Sequence, residues 1–413
     1  MARKVVMVGP YAIYPNGTVP VRMVPLAEAL LSRGHSVSIV LPPYDNISES
    51  GKEYSLRGVK IYNVHIPKGF NIRRSPLVKH VSIANSVVKK ALELNPDLIH
   101  VFVPVGISGL CAMLLSARKR LKLIKIPIVL DVDDWFGYGG FYDEFLTQKS
   151  GIRYKLVKRQ QDWLLKHVNV ITTASKTLQS LVWSLGVSQG RVFYLPNGPH
   201  RFEPPGDRSL VEAISEAYGL KDKRVILLWT KFSELNVRKV INILKIAKDK
   251  LGNLTVFVVG KGELRADDEF RRLAEEKGLR ECLVLVGWIG VDKLPSYLTI
   301  GDVAIYPLKD TLLNRAKCPG KLVELMSLGK AIVADKVGQI AEYIQDGKSG
   351  ILVEPEDLET FAQSVIRVLE DTELRRKLGN NAQKRVWHFF NWNKLVSVVE
   401  EAYEVAFCME TRS

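Results

Sequence analysis

The stretch from Asn314 to Asp335, NRAKCPGKLVELMSLGKAIVAD, constrains the chain most, because it reads only as loop, helix and strand. The preceding DVAIYPL (302–308) is apolar, β-branched and closed by proline, as befits a buried parallel strand feeding that loop. A helix is expected to start at Pro319, to bury Leu322, Leu325, Met326 and Leu328, and to close at Gly329. Free N–H groups near Gly320 and Lys321 would then suit an anion such as a diphosphate. Glu324 sits one turn further in, where a carboxylate can accept hydrogen bonds from ribose hydroxyls. An ordinary βαβ unit with a salt-bridged surface glutamate fits the same letters, so the rest of the chain has to decide.

That remainder repeats the alternation. VVMVGPYAIYPNGTVPVRMVPLAEALLSRGHSVSIVLPP opens like the first βαβ of a doubly wound sheet, although GxGxxG is absent and the loop Pro15–Asn16–Gly17–Thr18 is too long for that turn. Gly17 serves either as a plain turn residue or as a point where backbone N–H groups approach a ligand. A helix is expected from Pro76 to Leu94. PDLIHVFVP and IPIVLDVDDW are further strands, the second releasing Asp131, Asp133, Asp134 and Trp135 at its end. Pro196–Asn197–Gly198–Pro199 marks a hinge, and residues 200–206 read as a linker. RVILLWTK, a helix from Val240 to Lys250, LTVFVVGKG, a charged helix from Arg265 to Lys277 and CLVLVGW continue the pattern.

The 413 residues suffice for two α/β domains, read as 1–200 and 201–385, with a helical segment 386–413 returning to the first domain. Leu98 to Ala117 lacks charged residues, but His100, Pro104, Gly106 and Gly109 break it into strand, turn and buried helix rather than a membrane span. Met1 leads straight into a strand, so no signal peptide is expected. The four scattered cysteines point to a reducing, cytoplasmic setting without structural zinc. Residues 1–200 hold 26 basic against 12 acidic side chains, and 201–413 hold 33 against 32, so the net +15 belongs almost wholly to the first half. That half should face an anionic partner.

Several segments together resemble the retaining glycosyltransferases of family 4: PNGTVPVRMVPLAEALLSRGHSVSIV, ITTASKTLQSLVWSLGVSQGRVFYLPNGP, VVGKGE, VLVGWIGVDKLPSYLTIGDVAIYPL, CPGKLVELMSLGKAIVADKVG and DGKSGILVEP. The resemblance implies the GT-B fold, two facing Rossmann-like α/β domains with parallel sheets and a C-terminal helix crossing back to the first. It implies a nucleotide-sugar donor on the second domain and an acceptor on the first. Donor contacts map onto Gly17, Thr18 and Arg22, the diphosphate clamp Lys231 and Arg238, Gly260 and Gly262, and Pro319, Gly320, Lys321, Leu322 and Glu324. Glu324 matches the second, ribose-binding glutamate of the family's Glu-x7-Glu motif, whereas the first falls on Ala316, so backbone groups of that loop would contact the sugar. Asp133 or Asp134 stands where a first-domain histidine often follows the strand, either contacting the sugar or acceptor hydroxyl or capping the loop.

The implied catalytic set is therefore Asp133, Asp134, Lys231 and Arg238, with no cofactor, no metal and no dedicated nucleophile. The expected partners are a nucleotide sugar, a glycan or lipid-linked acceptor and an anionic membrane surface met by basic clusters around Arg73, Lys89, Arg118 and Arg153. Nucleic acid is not expected, since no recognised motif accompanies the charge. Competing readings are an epimerase or phosphorylase on a related fold, a catalytically silent subunit encouraged by Ala316, and a metal site at Asp131–Val132–Asp133.

Overall fold

The computed structural model describes residues 2–14, 17–146, 151–199, 207–262 and 266–411. The expected linker 200–206, Pro15, Asn16 and the Arg265 helix start lie outside them. Two compact units emerge. The first takes residues up to Gly198, Ala316–Cys318 and the chain from Trp392; the second takes Pro199–Arg315 and Pro319–Asn391.

The first unit is an eight-stranded sheet ordered β3-β4-β2-β1-β5-β6-β7-β8. Its strands are β1 (Lys4–Val8), β2 (Ser36–Leu41), β3 (Glu53–Leu56), β4 (Val59–Asn63), β5 (Leu98–Phe102), β6 (Ile128–Val132), β7 (Val170–Thr173) and β8 (Val192–Tyr194). All neighbours run parallel except the β3–β4 hairpin, which caps one edge. β1, β5 and β6 are apolar almost throughout because helices cover both faces of a parallel sheet. The charge-free run at Leu98 resolves into β5 and the helix Gly106–Arg120, and no described helix is long and apolar enough to cross a membrane.

The helix Trp392–Thr411 belongs to this unit. Leu395, Val396, Val399, Tyr403 and Ala406 enter the same core as Val5, Leu30, Leu98 and Val170. Its crossing starts later than residue 386, because the helix Thr372–Phe389 still serves the second unit, where Arg385 donates to the carbonyls of Glu342 and Tyr343.

The second unit is a parallel six-stranded sheet ordered β11-β10-β9-β12-β13-β14. It comprises β9 (Arg224–Trp229), β10 (Leu254–Val259), β11 (Leu283–Gly287), β12 (Val303–Tyr306), β13 (Ala331–Asp335) and β14 (Ile351–Val353). The helices Val237–Leu251 and Leu358–Glu370 bury Ile243, Leu244, Phe361 and Val365 over it. Strand order reverses between β9 and β12, and in the first unit between β1 and β5. Open α/β sheets bind ligands at such points, beyond the strands' C-terminal ends.

Candidate active site

In the second unit the switch point is lined by Trp229, Thr230 and Glu234 from the end of β9, Tyr306 and Pro307 from the end of β12, and Lys321. Lys321 Nζ lies 5.9 Å from the centre of the Trp229 ring. The helix behind it spans Gly320–Ser327, one residue later than expected. Pro319 is its N-cap at φ −77° and ψ 85°; its extended ψ leaves it just outside the first turn. No side chain caps this start, while the N–H groups of Leu322 and Val323 bond back to the Pro319 carbonyl. Gly329 follows the last turn at φ +70°, the left-handed residue that closes the helix. Leu322 points into the core, and Glu324 is buried at 4% exposure.

Lys231 and Arg238 are both exposed, Lys231 in the loop after β9 and Arg238 in the first turn of Val237–Leu251. The adjacent Lys239 is excluded from such a role. Its ammonium is buried against Asp335 Oδ1 at 2.6 Å, while Leu308 N–H holds Asp335 Oδ2 at 3.0 Å. Burial is the largest influence on Asp335 and pushes its carboxyl up to about 6 despite the Lys239 partner. Gly260 ends β10 at φ +117°, and a Cβ there would fall 2.0 Å from the Thr230 carbonyl oxygen, so only glycine lets these two loops pack. Gly262 follows in the same loop, half-buried.

In the first unit, the loop after β1 leads through Gly17 and Thr18 into a wide π-helical turn, Val19–Met23, and then the helix Val24–Ser32. Pro25 lacks the N–H that an α-helix would send to Val21, and Val24 N–H reaches Val19 instead. This turn aims Arg22 inward. Arg22, expected at the donor, is 1% exposed and entirely committed to the protein. Nε and Nη2 bond Asp131 Oδ1 and Oδ2 at 2.7 Å each, Nη1 reaches Asn197 Oδ1 at 2.9 Å, and Nη2 also reaches the Leu195 carbonyl. Its place is therefore beneath the site, because a fully buried carboxylate on β6 demands a buried cation.

The same geometry counts against a metal at Asp131–Val132–Asp133, since both oxygens of Asp131 already accept from Arg22. Among the described residues no group of three His, Cys, Asp or Glu side chains converges as a metal site. Behind Asp131 the network continues through Thr172 Oγ1 (2.6 Å) and His100 to the Tyr403 hydroxyl of the C-terminal helix (3.0 Å from His100 Nδ1). Burial pulls His100 down to about 4, so it is neutral.

Asp133 stands apart from this pair. Thr18 Oγ1 donates to its Oδ2 at 2.9 Å, and the Tyr11 hydroxyl donates to Thr18 at 2.7 Å. Its Oδ1 is buried without a hydrogen-bond partner. Burial first, then the nearby Asp131 charge, push the carboxyl up to about 6, while Arg22 and Thr18 act the other way. A buried carboxylate oxygen kept unsatisfied is the place for a ligand hydroxyl. The fold brings together Thr18 and Asp133, both singled out from the sequence, with Tyr11, which the sequence did not mark.

Comparison with known proteins fits this geometry. Residues 17–198 match the model of the glycosyl transferase 4-like domain, and residues 211–385 match that of glycosyl transferases group 1. The chain belongs to this glycosyltransferase family. An uncharacterized glycosyltransferase of Methanocaldococcus jannaschii is 24% identical over 98% of this chain and 97% of its own. Phosphatidyl-myo-inositol mannosyltransferase of Mycolicibacterium smegmatis is likewise 24% identical, covering 96% and 92%. Among solved structures, sucrose-phosphate synthase from Thermosynechococcus elongatus aligns with a TM-score of 0.74 at 19% identity over 98% and 100% of the two chains. Anabaena HepE in complex with UDP aligns at 0.68 and 16%, over 97% and 99%. The GT-B fold follows; at these identities the structures speak for fold alone.

Proposed function

We propose that this glycosyltransferase transfers a hexosyl group from a nucleoside diphosphate sugar to a glycan or lipid-linked acceptor, with retention of configuration and without a metal or cofactor. The observation that carries the reading is the uncapped helix start at the β9/β12 switch point, with Lys321 beside it and Glu324 one turn behind. The helix dipole and N–H groups favour an anion there, and Lys231, Lys321 and Arg238 supply the cationic charge that the departing diphosphate needs.

During transfer the anomeric carbon–oxygen bond to the diphosphate breaks, its electron pair going to the leaving oxygen. The acceptor oxygen bonds to the same carbon on the same face, and its proton passes to the diphosphate. Asp133, through Oδ1, takes a hydrogen bond from a hydroxyl of the acceptor or the transferred sugar; Asp134, on the following position, is the secondary candidate. UDP-glucose is the first donor to test, since HepE is also solved in complex with it.

Calorimetric titration with UDP, GDP and ADP and their glucose conjugates tests the reading. One nucleotide should bind, and Lys321→Ala should weaken it about tenfold or more, the loss of a charge-assisted contact. Binding by none, or affinity unchanged in both Lys321→Ala and Glu324→Ala, overturns it. The anomeric coupling of the NMR signal from the isolated product decides retention.

The acceptor side is proposed to work at the cytoplasmic face of an anionic membrane. The helix Leu77–Glu93 begins with Leu77 and Val78 at 67% and 72% exposure, flanked by exposed Arg73, Arg74 and Lys79. An apolar tip ringed by cations is the composition of an interfacial anchor.

A further inference from the structure

A cavity of about 370 Å³ in the first unit lies outside the machinery described above. Its walls are Ile13 and Tyr14 from the loop after β1, Asn46, Glu49 and Lys52 from the loop after β2, and Tyr54 from β3. We infer that this cavity is an acceptor subsite that binds a sugar residue remote from the one being glycosylated, so that the acceptor carries more than one sugar. This rests on the transferase reading and names the acceptor more closely.

Both loops emerge at the C-terminal edge of the sheet, the edge on which Asp133 stands. The loop that supplies Ile13 and Tyr14 also supplies Tyr11 and Thr18, which hold Asp133. In the sheet order β2-β1-β5-β6, β2 stands three strands from β6. The lining also draws on the loop after β1, two strands from β6, and on Tyr54 of β3, five strands from it, so at about 4.8 Å per strand it spans on the order of 10–24 Å from the strand end that bears Asp133. That separation exceeds one pyranose ring. A reacting hydroxyl at Asp133 and a sugar in the cavity therefore belong to different residues of one acceptor.

The lining is that of a carbohydrate site. Tyr14 is 52% exposed and offers a ring to the C–H face of a pyranose. Asn46 uses its oxygen on Ser48 Oγ (2.7 Å), and its NH2 has no partner among the described residues. Glu49 and Lys52 are paired at 3.1 Å, an acceptor and a donor set side by side for vicinal hydroxyls. Burial first, then the hydrogen bond to and charge of Glu49, push the Tyr54 phenol up to about 12, so it stays neutral beside that carboxylate.

The walls are also built beforehand. Ala12 N–H bonds Asp45 Oδ1 (2.9 Å), Ile66 N–H bonds Ser50 Oγ (2.9 Å), and Asn63 N–H bonds the Lys52 carbonyl (2.9 Å). A preformed pocket with an aromatic wall and few convergent polar groups is how small polar ligands are held. The larger concavity of the second unit, about 640 Å³ along Lys250, Gln363 and Arg367, has no aromatic wall and sits on the outer helices.

Saturation-transfer NMR on the full chain tests the subsite with the methyl α-glycosides of glucose, mannose and galactose at millimolar concentration, with and without UDP. At least one should receive saturation. Tyr14→Ala and Asn46→Ala, both at positions outside the core, should each cut that signal about fivefold, the scale of one aromatic or polar contact, while leaving UDP affinity and melting temperature unchanged. No transfer to any of the three sugars, with UDP still bound, overturns the subsite and leaves the transferase reading standing. Signal unaffected by either substitution overturns it as well, as does UDP saturation that disappears in Tyr14→Ala, which would make the cavity a base site. Failure of every nucleotide to bind, with the sugar signal intact and sensitive to Tyr14→Ala, supports the cavity and sinks the donor assignment instead.

Discussion

Asp133 and Asp131 are two positions apart on one strand end and do opposite work. Asp131 is neutralised by Arg22, whereas Asp133 keeps one oxygen unsatisfied in a buried place. Its folded pKa, about 6, exceeds the unfolded value of roughly 3.9. The ionised form is thus the one the fold disfavours, and above pH 6 the wild type carries a buried charge that unfolding would release. Asp133→Asn should therefore raise the melting temperature at pH 8, an advantage that fades as pH falls toward 4, while it lowers turnover. If the carboxylate is the working form, wild-type turnover should fall as pH drops through about 6. A variant that loses turnover and melting temperature together would instead make Asp133 a loop cap. Arg22→Met is expected to destabilise the first unit by about 3–5 kcal/mol in urea unfolding, because it strands Asp131 in the core. Asp131→Asn in the same chain should restore part of that. The pairing was half legible: a charge inside IVLDV and another inside PVRMVP each sit in apolar runs, and buried charges seek partners. Which partner each finds depends on contacts 109 residues apart along the chain, which no local pattern carries.

At the scale of elements, periodicity told most. β5, β6, β12 and the helix Gly320–Ser327 lie within a residue or two of where apolar runs, Pro319 and Gly329 place them. The π-helical turn at Val19–Met23 is not legible in the sequence, although Pro20 lies within it and Pro25 follows it, because proline forbids a hydrogen bond without saying how the chain reroutes it. Also unread was the grouping of Ala316–Cys318 with the first unit, which is a matter of tertiary packing. Gly260 gives an element-scale test. Gly260→Ala forces a Cβ onto the Thr230 carbonyl at φ +117°, so it should cost about 1–3 kcal/mol in stability of the second unit and weaken nucleotide binding beside Trp229. Thermal melts with and without UDP measure both, and an unchanged protein would mean that the two loops part easily.

Over the whole molecule, the charge is the property that neither core nor site explains. The second half is nearly balanced, while the first carries a surplus of 14 positive charges. Some of this is spent internally: Lys90 pairs with Glu53, Lys158 with Asp162 and Lys119 with Glu410. Much of the rest is exposed, with Arg73, Arg74 and Lys79 around the start of Leu77–Glu93, Arg120 at the end of Gly106–Arg120, and Lys122 and Lys125 just beyond it. Helices that follow parallel strands run back along the sheet, so these clusters occupy opposite edges, each with its own exposed leucines: Leu77 at one, Leu121 and Leu123 at the other. The membrane docking proposed above therefore needs no single flat contact across every basic cluster; the apolar tip at Leu77 and Val78 would be its point of insertion. Each cation near an anionic surface contributes about 1 kcal/mol, so three around that tip give reversible binding that salt weakens. Sedimentation with anionic and with neutral vesicles at two salt concentrations should show binding to the anionic vesicles alone, reduced at high salt. Leu77→Ser/Val78→Ser should lower it without touching UDP affinity, since both side chains are solvent-facing. Equal, salt-insensitive partitioning to both vesicle types, or binding indifferent to the double substitution, would mean that the first half's charge serves an anionic acceptor or simple solubility rather than a membrane.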